Sequence, residues 1–223
     1  AREYLIREGI SPDRIIKTGS PMYEVIQHNM SKVQASTILN DLKLEKQKYF
    51  VVSAHREENI EDPKSLKKLI NSLEKIISVY GFRIIFSTHP RTKNAINKNK
   101  LKINSKISLL KPLCFTDYIS LQLNSLVTLS DSGTISEESS ILNFKALNIR
   151  EAHERPEAME EAAVPLVGFS TDRILQAIEH LLNSKIETKI VADYSMPNVS
   201  EKVVRIILSY TDYVNKFVWK KEF

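Results

Sequence analysis

The chain has 223 residues, 42% of them apolar, so it can bury a sizeable core and form one full domain with part of a second. Its net charge of +5 comes from Lys and Arg spread along the chain and interrupted by acidic clusters at 57–58 and 157–161, which gives no continuous basic stripe for nucleic acid. One cysteine, Cys114, excludes an intramolecular disulfide and a cysteine metal set and fits a reducing cytoplasm, and no apolar run approaches a membrane span or a signal-peptide core.

Residues 1–9 read as a helix already under way, without initiator Met or N-cap, closed by Gly9. This opening suggests a piece of a longer protein. Beyond it, strand-like runs at 15–18, 49–53, 83–87, 107–110, 126–130, 146–149 and 165–167 alternate with helical patterns at 22–29, 32–42, 64–79, 115–124, 135–144 and 172–182. Such alternation predicts an α/β domain, a Rossmann-like parallel sheet with helices on both faces and with ligands at the carboxyl ends of its strands. A linker at 193–198 precedes a last helix from about Ser200. Its apolar stripe (Val203, Ile206, Ile207, Tyr210, Tyr213, Val214, Phe217) either closes its own domain or packs on an upstream portion.

The strand ends carry the chemistry. After 49–53 come His55 and Arg56, a side chain that titrates near neutrality and one that forks onto phosphate oxygens; His55 also fits a structural hydrogen-bonding role near a helix cap. His89 and Arg91 repeat the arrangement after 83–87. The run Ser130-Asp131-Ser132-Gly133-Thr134 passes from an apolar strand into a helix start, where free N–H groups and the positive end of the helix dipole attract an anion and the Ser132 and Thr134 hydroxyls can donate. An ordinary N-capped helix begins with the same residue types. Glu137 or Glu138 is spaced to accept from paired hydroxyls such as those of a ribose. The charged run 150–161 is either a solvated face or a loop in which Arg155 neutralises a diphosphate or pairs with a Glu.

Taken in order, Thr18-Gly19-Ser20-Pro21, His55-Arg56-Glu57-Glu58-Asn59, His89-Pro90, Asp131-Ser132-Gly133-Thr134-Ile135-Ser136-Glu137-Glu138, Glu154-Arg155-Pro156-Glu157 and Val167-Gly168 resemble the non-hydrolysing UDP-N-acetylglucosamine 2-epimerases, bacterial enzymes of the glycosyltransferase-B fold. The wording of 150–157 and of 199–207 is similar to a branch acting on UDP-2-acetamido-2,6-dideoxy-L-hexoses for capsule and O-antigen.

The resemblance implies that residues 1–19 are the remnant of an N-terminal Rossmann domain. Residues 20–198 would then form the C-terminal UDP-binding domain, and 199–223 a helix that returns to the absent domain. It implies C2 inversion by elimination and re-addition of UDP, in a cytoplasmic enzyme that is a homodimer when complete and uses no cofactor and no metal.

By the match, His55 is catalytic, and Arg56, Tyr118, Ser132, Gly133, Thr134, Glu138 and Arg155 bind UDP. Tyr118 lies against the uracil, Glu138 takes the ribose hydroxyls, and His89 and Glu154 lie on the sugar side. The acid and base carboxylates would belong to the N-terminal domain, leaving this chain inactive alone. Glu57 stands where many relatives carry Arg, and Thr134 and Ser136 where many carry Gly and Gln. A stand-alone UDP-sugar-binding module and a glycosyltransferase of the same fold are the other functions the sequence accommodates.

Overall fold

The computed structural model describes every residue except Ala1, Glu61, His153, Glu154, residues 185–189 and Phe223. Its described residues fall into two compact units, 29–191 and a smaller one made of 1–28 with 192–223.

In the larger unit, β1 (Tyr49–Ser53), β2 (Arg83–Ser87), β3 (Ile107–Leu110), β4 (Val127–Ser130) and β5 (Ala146–Asn148) form one sheet in the order β3-β2-β1-β4-β5. All four strand pairs are parallel. Because successive side chains of a strand point to opposite faces, β1 feeds two cores. Phe50 and Val52 pack with Leu69 and Leu73 of α5 (Pro63–Tyr80) and with Ile174 and Ile178 of α10 (Thr171–Asn183). Tyr49 and Val51 pack on the other face with Ile38 of α3 (Ile38–Asp41) and Leu121 of α7 (Phe115–Asn124). Helices therefore cover both faces, as the alternation of elements predicts. Leu69 and Leu73 are fully buried, and truncation of either to Ala costs about 2–5 kcal/mol.

Local chemistry fixes the helix ends. At the start of α5 the Asp62 side chain accepts from the amides of Lys64 (3.2 Å) and Ser65 (3.0 Å), and Pro63 supplies a preset φ at the first helical position. At its end Gly81 adopts φ 75° while its N–H closes on the Ile77 carbonyl at 2.8 Å. Helix α8 (Thr134–Leu142) ends on Asn143 at φ 52°.

Several expected elements differ. Residues 15–18 form no strand: Ile15 is extended, yet no ladder pairs with the segment among the described residues, and a strand exists only through its partner. The segment is held instead by Lys17 Nζ on Asp193 Oδ1 (2.6 Å) and by Lys202 Nζ donating to the Thr18 carbonyl (3.2 Å).

The expected strand at 165–167 is a single parallel bridge from Leu166 to Asn148. Pro165 has no N–H to extend the ladder, and Gly168, at φ 60°, turns the chain away.

The helices expected at 22–29 and 32–42 are α2 (Met22–Gln34) and the short α3. Met30 and Ser31 include neither Gly nor Pro, so the helix runs through them. It breaks at 35–37, where Ser36 Oγ accepts from the Ile38 amide and Thr37 Oγ1 donates to Asp41.

Among the described residues three α-helices were not evident in the sequence: α4 (Glu57–Ile60), α6 (Pro90–Lys98) and α9 (Pro156–Glu160).

In the smaller unit α1 (Arg2–Arg7) ends at Gly9, φ 87°. The start of α11 (Val199–Tyr213) is capped by the Glu24 carboxylate, which accepts from the Ser200 amide at 3.1 Å, and the Tyr213 hydroxyl donates to Asp13 at 2.5 Å. Val199 is the buried residue of α11; Val203, Val204 and Ile207 of its apolar stripe and neighbouring positions stand exposed.

Candidate functional site at the sheet switch point

From β1 the chain proceeds outward to β2 and β3, then returns to lay β4 against the other edge of β1. The loops that leave the adjacent carboxyl ends of β1 and β4 therefore diverge, and open parallel sheets bind ligands in such a crevice. Ser53 and Ser130 are register partners at that point, and the Asp131 amide donates to the Ser53 carbonyl at 3.1 Å.

Asp131, wholly buried, organises the crevice. Its carboxylate accepts from the amides of His55 (3.0 Å) and Arg56 (3.0 Å) and from Asn59 Nδ2 (2.9 Å). Its Oδ1 lies 3.2 Å from His55 Nδ1, and Arg56 Nε donates to its backbone carbonyl at 3.0 Å. A carboxylate out of water persists only when its lone pairs are satisfied, and here the β1 loop supplies the donors. The consequence is a fixed His55: Nδ1 faces the carboxylate, while the side chain stays 48% exposed. The ring's other nitrogen is therefore left to face a ligand.

The start of α8 lies on the other side of the same junction. Ser132 Oγ and Thr134 Oγ1 share a hydrogen bond of 2.9 Å, the Thr134 amide donates to Ser132 Oγ at 3.3 Å, and the Ser132 amide to Ser130 Oγ at 3.1 Å. The first-turn N–H groups of a helix lack intrahelical acceptors, so this end offers donors and a positive dipole to an anion. Gly133, at φ −66° and ψ −29°, has a backbone conformation open to any residue, which leaves the lack of a side chain as its contribution.

Glu138, one turn further along α8, is buried; it accepts from Gln122 Nε2 at 2.8 Å and is also hydrogen-bonded to Thr134. Burial pushes its carboxyl above the ordinary carboxylate range, against the lowering effect of these two hydrogen bonds. The half-buried Tyr118 of α7 has its hydroxyl bonded to the Ser53 and Gln122 side chains, and burial and then the Glu138 charge raise its phenol.

Arg155, at the start of α9, donates to Glu137 Oε1 at 3.3 Å and stands 3.9 Å from Glu157 Oε1. Of the two roles open to it in the sequence, the structure displays the Glu pair.

His89 is placed otherwise. It is exposed, and its Nδ1 accepts from the Arg91 amide at 3.3 Å, capping α6. Glu57 pairs with Arg91 across the loops after β1 and β2, so its negative charge is matched within the chain. Glu154 lies outside the described residues.

Asp131 and Gln122, to which the sequence reading gave no role, make the hydrogen bonds that hold this junction together. A carboxylate directly after an apolar strand was the available signal for the first, and an amide inside the apolar pattern of α7 for the second. Among the described residues no group of three His, Cys, Asp or Glu is placed to hold a metal ion, and no helix is long and apolar enough to cross a membrane.

An all-parallel Rossmann-like sheet with both faces covered and a polar junction at its switch point defines an α/β domain of the kind that forms the C-terminal portion of the glycosyltransferase-B fold. The sequence profile described as UDP-N-acetylglucosamine 2-epimerase matches residues 1–208, and the chain belongs to that family. It is 32% identical over 221 residues to the UDP-N-acetylglucosamine 2-epimerase of Methanocaldococcus jannaschii, covering 96% of this chain and 59% of the relative. It also resembles the solved structure of UDP-N-acetylglucosamine 2-epimerase from Rickettsia bellii, with TM-score 0.90 and 46% identity over 99% of this chain and 60% of that one. A further likeness is to the M. jannaschii enzyme solved with UDP-GlcNAc and UDP, with TM-score 0.85 and 30% identity over 93% of this chain and 58% of that one. The chain thus spans about three-fifths of the length of these relatives, at their C-terminal portion.

Proposed function

We propose that the complete protein is a UDP-sugar 2-epimerase acting on UDP-N-acetylglucosamine or a close UDP-2-acetamido-6-deoxy-hexose, and that this chain is its UDP-binding part. One observation carries the reading: Asp131 brings the His55 imidazole to the β1–β4 switch point, where the N-terminus of α8 offers its donors. The M. jannaschii relative solved with UDP-GlcNAc and UDP gives the ligand class.

In the reaction a base removes the C2 proton as the C1–O bond breaks, and UDP departs with that electron pair to leave a C1=C2 glycal. Protonation of C2 from the other face and return of the UDP oxygen to C1 complete the inversion. A C2 proton beside an acetamido group is weakly acidic, so stabilising the departing diphosphate must lower much of the barrier. The α8 N-terminus and the Ser132 and Thr134 hydroxyls suit the phosphate oxygens, and His55 suits the developing charge. Arg56 keeps positive charge near the site, and Arg155, held by Glu137, supports the phosphate side. Glu138 is the acceptor for the ribose hydroxyls, with Tyr118 on the base side and His89 and Glu154 assigned to the sugar side.

The proton-transferring carboxylates belong to a further domain against which the exposed stripe of α11 lies. In this reading the chain is inactive alone and the complete enzyme is a cytoplasmic homodimer serving surface-polysaccharide synthesis.

The test is turnover of UDP-N-acetylglucosamine by the complete protein in heavy water. Elimination and re-addition place deuterium at C2 of the product, and retention of the C2 proton contradicts the mechanism.

A further inference from the structure

Six side chains at the switch point form one hydrogen-bonded series. Ser132 and Thr134 share hydroxyls at the start of α8, Thr134 bonds to Glu138, and Glu138 Oε2 accepts from Gln122 Nε2 at 2.8 Å. The Tyr118 hydroxyl is bonded to Gln122 and to Ser53 at the end of β1. Gln122 is the interior member: it is fully buried, and its carbonyl Oε1 has no partner among the described residues. The amide spends its Nε2 on Glu138. An amide kept in a buried site with its carbonyl orphaned is a poor device for stability, since desolvating that oxygen is unfavourable and an apolar side chain of similar size has no such penalty. What the amide alone supplies is a directed donor that fixes the rotamer of Glu138.

We infer that Gln122 is a positioning residue for nucleoside recognition: by donating to Glu138, it aims the Glu138 carboxyl at the ribose hydroxyls. The inference rests on the reading of Glu138 given above. Gln122 is too deep to touch the ligand, so it acts through Glu138.

The experiment measures the affinities of UDP and 2′-deoxy-UDP for the complete protein by calorimetry, in wild type, Gln122→Met, Glu138→Gln and the double variant, with a thermal melt of each. Met matches Gln in length and volume and donates nothing. The inference expects wild type to prefer UDP and Gln122→Met to lose ~tenfold of that preference, the order of one hydrogen bond to an acidic group. The melting temperature of Gln122→Met stays equal to or above that of wild type. In the Glu138→Gln background the same substitution changes the preference little, because its effect passes through Glu138. Full preference in a folded Gln122→Met, or equal losses in both backgrounds, overturns the role of Gln122 alone. A wild type that binds both nucleotides equally contradicts the Glu138 reading, and the role of Gln122 falls with it.

Discussion

The buried Asp131 carboxylate meets the His55 imidazole at 3.2 Å while also accepting the backbone amides of His55 and Arg56, so one side chain sets both the position and the orientation of a residue 76 places away. Asp131→Ala would leave two half-buried amides and the buried Asn59 side chain without their acceptor. At about 1–3 kcal/mol for a buried orphaned group such as Asn59, and less for the two amides that water can reach, the variant loses at least about 1–3 kcal/mol of stability, read from urea unfolding. His55→Ala, by contrast, removes a half-exposed ring and changes stability by under about 1 kcal/mol while turnover collapses. A stability loss in His55→Ala equal to that in Asp131→Ala would show that the two act only as one structural unit.

Glu138 sets a pH dependence. Burial holds its folded-state value above the ordinary value of 4.5, so the folded protein keeps the proton longer than the unfolded chain. Its contribution favours folding below 4.5 and is lost as pH rises through the raised folded value. The stability of wild type relative to Glu138→Gln therefore falls as pH increases above 4.5, a trend that paired melting curves from acid to neutral pH would reveal; an unchanged difference contradicts it.

Arg155→Ala removes the cation from the buried carboxylate of Glu137. The expected result is a loss of about 1–3 kcal/mol of stability, together with weaker UDP binding. Arg155→Ala with Glu137→Gln should recover most of the stability, because the second change neutralises the orphaned acid. No recovery would place the importance of Arg155 elsewhere.

Gly81 and Gly19 separate strain from space. Both have positive φ, 75° and 87°, yet a Cβ at Gly81 meets nothing within 4 Å, whereas one at Gly19 comes within 2.6 Å of Met196 Cγ. Gly81→Ala then costs about 1–2 kcal/mol from the left-handed conformation alone, and Gly19→Ala costs more. Equal denaturation midpoints for the two variants would contradict that difference.

The sheet was legible because β1, β2 and β4 are short apolar runs buried on both faces, and such runs announce themselves. The run at 15–18 has the same residue character but no partner, and pairing is not written in the segment itself. Helix α6 escaped notice because its outward residues are polar and only Thr92 and Ile96 face inward; His89 and Pro90 define its start rather than any apolar stripe. The site motif Asp131-Ser132-Gly133-Thr134 was visible as a helix start. The reach of Asp131 to His55 and of Gln122 to Glu138 was not, since hydrogen bonds between residues distant in the chain leave no periodic trace.

The central claim is that the junction of β1 and β4 holds UDP, and a crystal structure of the protein with UDP tests it most directly. The diphosphate should lie against the N-terminus of α8 within hydrogen-bonding distance of Ser132, with His55 beside it and the ribose hydroxyls on Glu138. UDP bound elsewhere, or bound here with its ribose away from Glu138, would contradict the account.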